Sequence, residues 1–263
     1  MKKPYRIARA VCLLALASPL GLAWLPQDRL PLGLAPAFLA ALSSSFRQLS
    51  VTLAATLALA AFLAILLGYL SVLSQRFGRT GASVLNAVES VPAILVALFC
   101  YAPVSGYLAS HGRGASEAVS LLVFILAAAL TVLPEAVRGV AIPLGDLYHR
   151  KYSLSFRSYG FTKRRILAVL MGSHAMRGAL MRIAAGILLK TLVLDCSFGF
   201  IIQLGFGSYG TPAHASPGAL IAANRDALFE GGTPMLFWLP ALLLVAVSTA
   251  FLLTLGDREE VSA

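Results

Sequence analysis

Residues 118–134 read AVSLLVFILAAALTVLP, seventeen positions without Asp, Glu, Lys or Arg. Coiled as a helix, a run of this length approaches the ~30 Å hydrocarbon core of a bilayer. Lipid offers the backbone no hydrogen bonds, so the run predicts a membrane-spanning α-helix. Outward from it, the windows 10–27, 48–75, 90–112, 196–224 and 231–256 are equally free of charge. Together they predict six spans, near 8–25, 49–74, 86–105, 118–142, 178–205 and 235–255. The 263-residue chain as a whole agrees: 59% is hydrophobic and 12% charged, about half the charged share of an ordinary soluble domain. The fold expected is all-α and polytopic, and a soluble enzyme, a disordered chain or a secreted disulfide scaffold fits poorly.

The first span follows Lys2, Lys3, Arg6 and Arg9, like a secretory signal, but its 18-residue apolar run Ala10–Gln27 suits an uncleaved anchor better. Residues 1–47 then form an anchor and outward loop, and 48–263 the main membrane unit. With the N-terminus inside, sixteen Lys and Arg fall on the cytoplasmic side and four outside, with Lys190 within a span. This asymmetry sets both termini in the cytoplasm, so the net charge of +10 reads as topology and not as a nucleic-acid partner. Cys12, Cys100 and Cys196 sit far apart in apolar runs and read as packing residues.

The one long cytoplasmic segment, near 144–177, reads as two short helices, Tyr152 to Tyr159 and Lys163 to Leu170. Gly160 between them can supply the positive φ that ends a helix, and Thr162 suits the N-cap of the second. Leu154, Phe156, Tyr159, Phe161, Ile166 and Leu170 bring apolar surface, and Arg157, Lys163, Arg164 and Arg165 bring charge. Such a hairpin suits a membrane surface or the groove of a soluble partner.

Tyr152, Gly160 eight residues later, the basic run and the apolar helix to Ser173 resemble the cytoplasmic EAA loop of ABC-importer permeases, in the dipeptide, oligopeptide and nickel branch. Leu154, Ser155 and Phe156 stand where that family has Glu-Ala-Ala, and Met171, Gly172 and Ser173 where it has Ile-Leu-Pro. Further similar features follow in the family's order: Gly68-Tyr69, Pro92, Pro134, Arg138-Gly139, Leu204-Gly205-Phe206-Gly207, Gly218-Ala219-Leu220 and Gly256-Asp257. The resemblance implies one half of a permease pair, expected as a heterodimer, in a bacterial inner membrane. It also implies two ATP-binding subunits inside and a solute-binding protein outside, with peptides or nickel and other metal chelates as cargo. Tyr152, Ser155, Phe156, Arg157, Gly160, Lys163, Arg164 and Arg165 would then couple the chain to the ATPase.

No GxxxxGK[ST] loop occurs, so ATP hydrolysis is expected in separate subunits. His111, His149, His174 and His214 are dispersed and form no ligand pair; there is no GxSxG elbow and no close carboxylate pair. No enzyme activity, cofactor or metal is expected. Lys190 and Asp195 are unusual within a span, and five residues at 100° each set them about 140° apart on one helix. Each therefore looks to another span or subunit for a partner, or faces a pathway, with Glu89 and Glu135 as available carboxylates. Ser208 to Thr233 reads as a re-entrant or surface helix or a connector, and Ala35 to Ser45 as a surface helix. Two other classes stay open: an ion-coupled secondary transporter and a non-transporting membrane scaffold.

Overall fold

The computed structural model describes residues 36–110, 117–201, 216–229 and 233–256, and among them every regular element is helical. In chain order these are α1 (Pro36–Leu73), α2 (Gln75–Glu89), α3 (Ala93–Ser110), α4 (Glu117–His149), α5 (Lys151–Ser158), α6 (Lys163–Met171), α7 (His174–Ile201), α8 (Pro217–Ala223) and α9 (Met235–Gly256). A 3-10 turn, Arg225–Leu228, joins the last two. Three stretches, Ala37–Leu73, Leu121–His149 and His174–Ile201, are long and apolar enough to cross a membrane. A fourth crossing results if α2 and α3, bent by 88° at their junction, are taken together, and α9 holds a shorter apolar stretch, Met235–Thr249. The expected first span, with Cys12 and the basic N-terminus, lies outside the described residues.

Several boundaries differ from the sequence reading for identifiable reasons. Ala35 to Ser45 is not a separate surface helix: from Pro36 it is continuous with the second expected span. The Ser43, Ser44 and Ser45 hydroxyls donate to carbonyls three residues back, at 3.0, 2.9 and 2.9 Å, so the serine run stays helical. Gln75 to Thr80, which fall between two of the expected spans, begin α2. The Ser74 side chain caps that helix by accepting from the Phe77 N–H at 3.5 Å, and Phe77, Gly81, Val84, Leu85 and Val88 recur on one face. The span expected near 86–105 is broken because Pro92 lacks an N–H and disfavours helical backbone at Val91; α3 restarts at Ala93. α4 runs seven residues past its expected end at 142, since Leu144 and Leu147 are buried and hold the last turns against the core.

α1 and α4 meet through small side chains, which let two helices approach closely. Ala60 and Ala64 of α1 face Ala129, Ala136 and Val140 of α4 in the largest buried cluster, which Ile166, Leu167 and Leu170 of α6 complete. A second cluster joins α3, α4 and α7: Phe198 stands edge-on to Tyr101 at 5.1 Å and lies 5.0 Å from Phe124. A third joins α1, α7 and α9 through Phe38, Phe46, Leu192 and Val247. Cys100 and Cys196 are free thiols packed beside the second and third clusters. Phe62, Phe99, Leu122, Val193, Leu242 and Val245 are large, apolar and exposed, a surface compatible with a membrane location.

Candidate functional site

The sequence-predicted hairpin folds as two short helices, α5 and α6, with Gly160 between them at φ +78°, the one described residue with a positive φ. The turn closes with two backbone bonds: Phe161 N–H donates to the Phe156 carbonyl at 3.1 Å and Gly160 N–H to that of Arg157 at 3.0 Å. This is the Schellman arrangement, and its usual apolar contact is present as an edge-on pair of Phe156 and Phe161, 5.7 Å between centroids. Thr162 occupies the N-cap of α6, though its side chain makes no capping bond.

Three polar contacts fasten the hairpin to the bundle. Lys163 Nζ donates to the carbonyl of Leu73, the last residue of α1, at 3.0 Å. It meets one of the acceptors that a helix leaves unsatisfied at its negative end. Tyr69 of α1 donates its hydroxyl to the Arg164 carbonyl at 3.1 Å. Arg157 donates to the Tyr148 carbonyl at 3.0 Å, and its guanidinium lies 4.0 Å above the Tyr148 ring. Ile166, Leu167 and Leu170 are buried beneath. Outward residues include Leu154, Ser155, Ser158, Tyr159, Gly160, Arg164, Arg165 and Val169, with Tyr159 80% exposed. Of the residues expected to couple, Phe156 is half-buried, Arg157 and Lys163 bind within the chain, and Ser155, Gly160, Arg164 and Arg165 stay exposed. Arg165 also lies 4.9 Å over the Phe161 ring, and Tyr152 belongs to α5. Tyr69, Tyr148 and Leu167 were missed as hairpin contacts; for Tyr69 nothing local in the sequence marks a bond across 95 positions.

A second polar region lies on the joint face of α4 and α7. Lys190 Nζ meets Glu135 Oε2, and Arg138 meets Glu89 at the end of α2. Glu135 is 14 residues from the end of α4 at His149, and Lys190 is 16 from the start of α7 at His174. At 1.5 Å per residue the pair sits about 21–24 Å along both helices. All four side chains are about half exposed. A cleft of about 430 Å³ runs beside them, lined by Glu135, Arg138, Gly139, Ile142 and Arg182 among others. A smaller one of about 160 Å³ adjoins it at Gly186 and Lys190. Lys190 and Asp195 are not brought together: Asp195 is 1% exposed and lines neither cleft.

In the expected re-entrant segment, residues 208–215 and 230–232, with His214, lie outside the described residues, as do Leu204 to Gly207, His111 and Asp257. What is described includes α8, whose Pro217, Gly218, Ala219 and Ala222 are buried. A side chain on Gly199 would collide with Ser216 Oγ, and one on Gly218 with the Cys196 carbonyl, so α7 and α8 touch backbone to backbone. Beyond α8, Arg225 pairs with Asp226 at 3.4 Å and Phe229 is 83% exposed. Among the described residues no group of three His, Cys, Asp or Glu is placed to hold a metal ion. No protein-family model matches the chain, and no curated protein matches it significantly.

Proposed function

We propose that this chain is a membrane-spanning permease subunit of an ATP-driven, binding-protein-dependent importer. The α5–α6 hairpin is its docking point for an ATP-hydrolysing subunit. The observation that carries the reading is the division of the hairpin into a fastened underside and an outward face where a few apolar side chains stand among basic and polar ones. Lys163, Arg157 and Tyr69 tie the underside to the ends of α1 and α4, while Leu154, Tyr159 and Val169 are left uncovered. Apolar side chains on a short helix suit a groove in a soluble partner, and exposed Arg164 and Arg165 add charge for acidic groups on it. Arg76 and Arg79 begin α2 directly after the α1 end that Lys163 caps, so this end of the bundle gathers basic residues. By the positive-inside rule it is the cytoplasmic end. The partner permease is a related chain, and the cargo is a peptide or metal chelate delivered by a solute-binding protein.

The test is affinity purification of the tagged chain from its own membranes. The expected result is co-purification of a nucleotide-hydrolysing subunit, reduced at least about tenfold by the pair Leu154→Asp and Tyr159→Ala. Solute flux by the purified chain alone, or labelling of the hairpin from the outer face, would overturn the reading. The Glu135–Lys190 pair favours a second reading, an ion-coupled transporter. That alternative predicts flux driven by an ion gradient with no ATP.

A further inference from the structure

The exposed charges on the α4–α7 face are hard to reconcile with lipid. Glu135 and Lys190 lie about 21–24 Å from the basic ends of helices long and apolar enough to cross a ~30 Å core, with 60% and 51% of their side chains uncovered. Arg138 and Glu89 follow on the same side, and Arg182 lines the same cleft without an ion pair to any described carboxylate. Ionised side chains at such depth face a bundle interior or a water-filled cavity. The neighbouring exposed surface differs: Leu122, Leu126 and Val193 on the same two helices are apolar. The cleft has the volume of an ordinary small-molecule site. Three cations, Arg138, Arg182 and Lys190, stand there against two carboxylates, Glu89 and Glu135, leaving one positive charge in surplus.

We infer that this face is a hydrated wall and that it receives hydrophilic solutes carrying a carboxylate or another anionic group, with Arg182 as the receiving cation. Taken as the solute path of the importer, the inference rests on the function proposed above. Its hydration and its charge preference are nonetheless measurable without any partner subunit, so the two ideas can fail separately.

The experiment uses the full chain in open membrane fragments, with Cys12, Cys100 and Cys196 replaced by Ala. Single cysteines are introduced at Gly186, where an added side chain meets nothing within 4 Å, and at Ile142, which is 60% exposed beside the cleft. Each is treated with sulfonatoethyl and with trimethylammonioethyl methanethiosulfonate, which differ in charge sign. Both positions are expected to react. The anionic-to-cationic rate ratio should exceed that of free 2-mercaptoethanol by at least about threefold, as a unit charge within roughly 8 Å at intermediate dielectric gives. Arg182→Gln should lower the ratio at Gly186→Cys toward the free-thiol value. Val245→Cys on α9, 62% exposed and apolar, should stay unreactive. Silence at both cleft positions, equal reaction at Val245→Cys, or a ratio no higher than that of the free thiol overturns the inference. Ile142→Cys keeps the test decisive if Gly186→Cys fails to accumulate.

Discussion

The hairpin and the α4–α7 face both depend on basic side chains, and they use them in opposite ways. On the hairpin, Lys163 and Arg157 bind backbone carbonyls of Leu73 and Tyr148. On the helical face, Lys190 and Arg138 bind carboxylates. The difference follows from what each place leaves unsatisfied. At helix ends the last carbonyls lack partners, and a cation meets them while matching the negative end of the dipole. In mid-helix the backbone is already bonded to itself, so a cation can be satisfied only by a counter-charge or by water.

The contrast breaks most visibly under the hairpin. Leu167 is fully buried there, and Leu167→Ala should cost about 2–5 kcal/mol by loss of contacts and cavity formation. Val169→Ala, on the uncovered side two residues away, should stay within about 0.5 kcal/mol. Thermal unfolding of both variants in detergent checks the pair. A smaller effect is expected from Lys163→Met, about 1–2 kcal/mol, the range of a hydrogen bond from a charged group partly open to solvent. Arg164→Met should be near neutral, since it is the Arg164 backbone carbonyl that takes part in docking. Protease sensitivity of the hairpin should rise for the first substitution and not for the second. The smallest change is expected at the ion pair. With water at the face, Glu135→Gln should cost under about 1 kcal/mol, as exposed pairs do. A cost nearer ~3 kcal/mol, rescued by a second change at Lys190, would mean that lipid or protein covers it.

The hairpin was the most legible part of the sequence. Its two helices, the turn at Gly160 and the N-cap position of Thr162 all follow from short-range rules, and the structure has each within a residue or two. Its fastening was not legible, because Lys163 reaches Leu73 across 90 positions and nothing local distinguishes it from Arg164. The same holds for the ion pairs. Glu135 was one of two carboxylates open to Lys190, and the choice depends on the register of α4 against α7. Charge-free windows located α1 and α4 but not their ends, and they missed most of α7, whose span carries Lys190 and Asp195: the three serines near the start of α1 and the two prolines of α4 look like breaks and are carried within helices.

α1 has 38 residues in one uninterrupted helix, about 57 Å end to end. Its Leu73 end is clamped by Lys163, and its first turns, through Phe38 and Leu42, pack in the cluster that holds α9. No loop intervenes to absorb motion. One continuous helix thus joins the hairpin at one end to the cluster that holds α9 at the other.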